Sequence, residues 1–185
     1  MSTMEIAKPD AVISFWFDEL TQEDWFTKSD ALDRDIAGRF GATHLALAGG
    51  VPQEWWASAE AVLALIIVFD QFPRNIYRGT PLAFATDCLA LKEAKGAIDA
   101  GLDQLVDPVR RQFFYMPFEH SEALEDQDRS VDLFIALENE ELLRYAHAHR
   151  DLIVKFGRFP HRNSILGRDN TSEETAYLSQ PGSGF

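Results

Sequence analysis

Residues 59–69 read Ala-Glu-Ala-Val-Leu-Ala-Leu-Ile-Ile-Val-Phe, and only Glu60 interrupts an otherwise apolar run. Such a run has no polar face at either the helical or the strand period, so it must be enclosed by other elements. Ile66, Ile67 and Val68 alone would suit a buried strand. Ala59, Ala61 and Ala64 break up the branched residues, and the run exceeds the usual strand length of about 5–6 residues. The pattern predicts a buried central helix around which the rest of the chain is arranged. Phe72 precedes Pro73, and a residue before proline avoids the α region, so the helix should stop there.

The remaining punctuation is helical as well. Pro9-Asp10 suits a first turn. Ser29 can cap a helix carrying Leu32, Ile36, Phe40 and Leu47, which Gly49-Gly50 should end. Thr86-Asp87 opens another helix, ended by Gly101, and Asp107-Pro108 opens a short one punctuated by Pro117. Ser130 is expected to cap a longer helix with Val131, Phe134, Ile135, Leu142 and Tyr145 inward. Thr171-Ser172-Glu173-Glu174 is a capping box. No long alternation and no Asn-Gly or Asp-Gly turn marks a hairpin. The expected fold is a single all-α domain over residues 1–185, with seven to nine helices, short loops and a loose tail at 179–185.

Composition narrows the function. The 185 residues hold 17 Lys+Arg against 30 Asp+Glu, a formal charge of −13, which opposes nonspecific nucleic-acid binding. Cys88 is the one cysteine, so an internal disulfide and a Cys-based zinc site are excluded. It reads as a small packed residue. The first residues lack a basic region followed by an apolar stretch, and no run approaches the ~18 residues of a membrane span. The expectation is a cytoplasmic protein with no membrane partner and no cofactor. No H-E-x-x-H, P-loop, G-x-G-x-x-G or G-x-S-x-G occurs, and no metal is required.

One motif is written twice. Phe69-Asp70-Gln71-Phe72-Pro73-Arg74-Asn75 is followed by Arg78-Gly79; Phe156-Gly157-Arg158-Phe159-Pro160-His161-Arg162-Asn163 is followed by Gly167-Arg168. Proline stiffens each turn, the phenylalanines anchor it, and arginine presents a planar fork suited to carboxylate or phosphate. Asp70, Arg74, Asn75, Arg78, Arg162, Asn163 and Arg168 are therefore candidate ligand-binding residues. The same residues would equally serve as a helix-capping device, since arginine can satisfy terminal carbonyls and asparagine caps turns. In Tyr115-Met116-Pro117-Phe118-Glu119-His120-Ser121-Glu122, His120 stands between acids at a proline turn. His120 and His161 are candidate catalytic acid–base groups, with Glu119 an orienting carboxylate. His147 and His149 lie two apart, on nearly opposite helix faces. Phe15, Trp16 and Phe17 would sweep about 200° on an α-helix, so they cannot share one face, and Trp16 is a candidate groove residue.

SFWF near the start, FDQFPRNIYRGTPLAFATD, FYMPFEHSE and FGRFPHRNSILGR resemble the motifs of the bacterial family named domain of unknown function 924, from about Val12 to Phe185. The resemblance implies a tetratricopeptide-like helical superhelix and carries over no catalytic residue. Tyr77, where Phe is expected, and Asn170 depart from the pattern. The 34-residue tetratricopeptide consensus is missing, so the likeness is one of architecture.

Two functions stay open. One is a site for a small anionic ligand, a phosphate or carboxylate, with binding or acid–base and hydrolytic chemistry at the repeated motifs and the PFEHSE segment. The other is an interaction module gripping a peptide or protein partner, without catalysis. Exposed aromatics would equally make a homodimer face.

Overall fold

The computed structural model describes residues 6–183, and these are all-helical, with no strand among them. The reading of the first residues as no leader falls partly on positions 1–5, and the end of the tail on 184–185, outside the described residues. No helix among the described residues is long and apolar enough to cross a membrane. The chain divides into two compact units, residues 1–78 with 82–117, and residues 79–81 with 118–185.

The first unit holds α1 (Pro9–Ser14), a π-helical turn (Phe15–Glu19), α2 (Gln22–Phe26), α3 (Asp30–Gly49), α4 (Ala59–Asp70), α5 (Phe72–Ile76), α6 (Asp87–Asp99) and most of α7 (Pro108–Glu119). The apolar run is the buried helix that its pattern requires. Every residue of α4 except Glu60 is buried, and α1, α3 and α6 pack against it. Ser29 accepts from the Leu32 amide and Ser58 from Ala61, so both long helices start on side-chain caps. Phe15, Phe40 and Phe72 form an aromatic core, with Phe40 and Phe72 centroids 4.8 Å apart. Helicity resumes at once after α4: Pro73 sits in the first turn of α5, where its missing N–H costs nothing.

The second unit holds the end of α7, then α8 (Leu124–Ala136), α9 (Glu140–Phe156) and α10 (Ser172–Leu178). A three-residue loop joins α8 to α9, making them antiparallel neighbours.

Four local expectations need correction. Ser130 is no cap; it lies buried in the middle of α8, and Asn139 caps α9 by accepting from the amides of Glu141 and Leu142. The chain breaks at Glu138, whose φ of 56° is left-handed, with no glycine or proline to announce it. The inward set therefore shifts: Phe134 is buried, but Ile135 is 53% and Tyr145 45% exposed. Pro117 lies inside α7 rather than ending it. Cys88 is exposed rather than packed. The capping box at Thr171 is present, with Thr171 and Glu174 bonded reciprocally.

Candidate functional site

In the first unit the repeated motif closes on itself. Arg74 forks onto Asp87, with Nη1–Oδ1 2.9 Å and Nη2–Oδ2 3.1 Å. It also donates to the Asp70 carbonyl and lies 3.5 Å from the Asp70 carboxylate, which is 1% exposed. Arg78 forks onto Asp33 at 2.6 and 2.8 Å, and Asn75 Nδ2 donates to the same carboxylate at 2.8 Å. Burial works against the charge on Asp33, but the bonds from Arg78 and Asn75 outweigh it and hold the carboxyl below its ordinary value. Asp70, Arg74, Asn75 and Arg78 thus knit α3, α5 and the start of α6 together through charge-assisted bonds.

Trp16 is also internal. It is 1% exposed, stacks on Trp25 at 6.2 Å and meets Phe72 and Phe113 edge-on. A shallow groove of about 310 Å³ lies nearby, lined by Phe17, Trp25, Thr21, Asp107 and Arg110 among others. The π-helical turn, whose i→i+5 bonding widens the backbone, buries Phe15 and Trp16 and leaves Phe17 half-buried at that groove.

The second copy is built differently. Gly157 (φ 69°) ends α9 in the left-handed region, its N–H bonded to Ile153. The turn then anchors Phe159, which is fully buried. Glu122 accepts from the Phe159 amide at 2.8 Å and takes both arms of Arg168 at 2.7 and 2.9 Å. Although partial burial opposes it, these bonds keep Glu122 below the ordinary carboxylate range. Asn163 accepts from Arg168 Nε and donates to Asn170, both at 2.8 Å. Arg168 and Asn163 therefore fix the loop.

Around Phe159 gather the groups with acid–base chemistry. The Arg162 guanidinium lies 4.6 Å from the ring centroid and is only 7% exposed. The His161 ring is 5.5 Å away at 36°, and the His149 ring 5.6 Å away at 81°. His120, just beyond α7, is 6.3 Å from His149. His149 Nδ1 lies 2.9 Å from the Tyr145 carbonyl and 2.9 Å from Glu119 Oε1. A carbonyl only accepts, so Nδ1 carries the hydrogen and Nε2 is the basic nitrogen of the neutral ring. His161 is pushed down to about 4, by burial first and then by Arg162 and His149. His120, His161, Glu119 and Arg162 thus meet within the second unit.

His149 is the member that sequence reasoning missed. Its signal was available: Ala146, His149, Leu152 and Ile153 form the buried stripe of α9. Among the described residues, no group of three or more His, Cys, Asp or Glu has an arrangement that could hold a metal ion.

The comparisons agree with this architecture. The model of a family described as "Bacterial protein of unknown function" (DUF924) matches residues 12–182. The chain belongs to the DUF924 family. A solved structure of the protein of unknown function ATU0120 from Agrobacterium tumefaciens is similar at 43% identity, with a TM-score of 0.88 over 92% of this chain and 96% of that one. No curated protein matches. Membership of DUF924 thus supplies the fold and brings no assigned reaction.

Proposed function

We propose that the chain binds a small phosphate- or carboxylate-bearing compound at the second motif and performs acid–base chemistry on it. The Glu119–His149 pair carries this reading. The Tyr145 carbonyl, 2.9 Å from Nδ1 of this nearly buried histidine, fixes the tautomer and leaves Nε2 as base, with the buried Glu119 carboxylate 2.9 Å from the same nitrogen, the logic of an oriented imidazole in many acid–base sites. In this reading Arg162 holds the anionic group, because its fork matches two oxygens. His120 and His161, both half-buried, exchange protons with the ligand. Glu122, Asn163 and Arg168 hold the turn in shape. Asp70, Arg74, Asn75 and Arg78 act as a structural corner.

Thermal unfolding in the presence of inorganic sulfate, phosphate and small dicarboxylates tests it. A bound anion raises Tm by mass action. The expected result is a shift for the native chain that Arg162→Lys weakens and Arg162→Gln removes, with Arg78→Gln unaffected. A shift that survives Arg162→Gln in a folded protein, or no shift with any anion, overturns the proposal.

A further inference from the structure

The first turn of α8 carries a buried polar residue to which the proposed site gives no part. Gln127 is 0% exposed. Its Nε2 donates to the Glu119 carbonyl at 2.7 Å and the Ser121 carbonyl at 2.6 Å, with the Phe118 carbonyl at 3.4 Å. Carbonyls only accept, so the nitrogen is the end of the amide that faces them. One residue earlier, Asp126 accepts from Ser121 Oγ at 2.8 Å. These bonds grip the backbone between the end of α7 and the start of α8. That short stretch supplies two carboxylates to the Phe159 cluster. Glu119 lies 2.9 Å from His149 Nδ1, and Glu122 accepts from the Phe159 amide and from both arms of Arg168. His120 stands between them, with its ring 6.3 Å from that of His149.

Stability alone does not account for this clasp. Gln127 Oε1 is buried with no hydrogen-bond partner among the described residues, and an unsatisfied buried acceptor costs free energy. An apolar side chain of the same length would avoid that cost and would give up both N–H donors. The amide supplies what the apolar chain lacks, a two-point hold on the backbone that carries Glu119, His120 and Glu122. We infer that Gln127 is the positioning residue of the proposed site, on which this inference rests. Fully buried, it reaches no ligand. Through the carbonyls of Glu119 and Ser121 it sets where Glu119 meets His149 and where Glu122 meets the Phe159 turn. A constellation of acid–base groups depends on such supporting bonds, because small displacements of the reacting groups are costly. With the hold released, both carboxylates lose their fixed distances together.

Two nuclear magnetic resonance measurements and a sulfate titration test it. In the native chain the Gln127 side-chain amide is expected to exchange slowly and to show scalar coupling across its hydrogen bonds to the carbonyl carbons of Glu119 and Ser121. A fast-exchanging, uncoupled amide overturns the inference with no variant needed. Gln127→Met keeps the side-chain length and removes the donors. Its folded form is expected to show shifted His120 and His149 ring resonances, with those of His44 and His147 unchanged. The Phe159 amide should exchange about tenfold faster, and the sulfate Kd should weaken by about tenfold. Leu133→Ala, which truncates a buried apolar side chain on the same helix, is expected to lower Tm and leave those signals and that Kd alone. Native His120, His149 and Phe159 signals in folded Gln127→Met, or a native sulfate Kd, overturn the inference and leave the anion site standing. Equal movement of the signals in Leu133→Ala overturns it as well, since loss of stability would then be the cause. No sulfate binding by the native chain removes the site and the inference together.

Discussion

Glu119 Oε1 and His149 Nδ1 lie 2.9 Å apart, and the Tyr145 carbonyl lies 2.9 Å from the same nitrogen. Two oxygens on one nitrogen leave a single consistent tautomer. Long-range ¹⁵N–¹H spectra of the neutral imidazole are expected to show the proton of His149 on Nδ1. Glu119→Gln should keep that tautomer, since the Tyr145 carbonyl still accepts from Nδ1. A proton on Nε2 in the native chain would contradict the orientation of the base.

The arginines of the first motif are expected to differ in energetic weight. Removing Arg74 leaves Asp70, 1% exposed, as a buried carboxylate short of its main cationic partner. Arg74→Ala should cost about 3 kcal/mol in urea unfolding. Arg78 is 37% exposed at its side chain, where solvent screens the pair, so Arg78→Ala should cost less than about 1 kcal/mol. Equal losses would show that the corner does not depend on the buried carboxylate.

Stability should fall with acid through His161. Its folded value of about 4 lies below the ordinary 6.5, so between these values the unfolded chain binds the extra proton. Stability is then fully present above about pH 6.5 and declines as the pH falls towards 4. Urea midpoints at pH 7, 5.5 and 4.5 measure the slope. His161→Asn should flatten that window relative to the native chain, and an unchanged slope would place its titration elsewhere.

A second, lower window belongs to Glu174. The fork of Arg158 and the Thr171 amide hold its carboxyl at about 2 against an ordinary 4.5, despite its burial. The stabilisation is present above about pH 4.5 and is lost as the pH falls towards 2. Glu174→Gln should remove this acid-dependent part while lowering stability at pH 7. Circular dichroism during acid titration separates the two windows.

Much of the fold was legible because it rests on local chemistry. The apolar run 59–69 had to be enclosed, and Ser29, Gly49-Gly50 and the Thr171 box are short-range signals whose partners lie within a turn. The break at Leu137–Asn139 was not legible, since Glu138 adopts a left-handed conformation without a residue type that advertises it. The π-helical turn at Phe15–Glu19 likewise follows from packing of Phe15 and Trp16. For the site, the motif, His120, His161 and Glu119 could be named from sequence, but their partners could not. Arg74 finds Asp87, Arg78 finds Asp33, and Glu119 finds His149, all across elements separated in the chain. The repeat made two motifs look chemically alike. The structure gives one a pair of aspartates and the other a ring of imidazoles around a buried phenylalanine.

The most direct measurement is a sulfate titration followed through the histidine side-chain resonances at pH 6, against chloride at matched ionic strength. The chain has five histidines, and each reports separately. The account predicts that His120, His149 and His161 shift together and saturably, while His44 and the exposed His147 stay in place. Saturable shifts confined to His44 or His147, or three silent resonances at His120, His149 and His161, would contradict it.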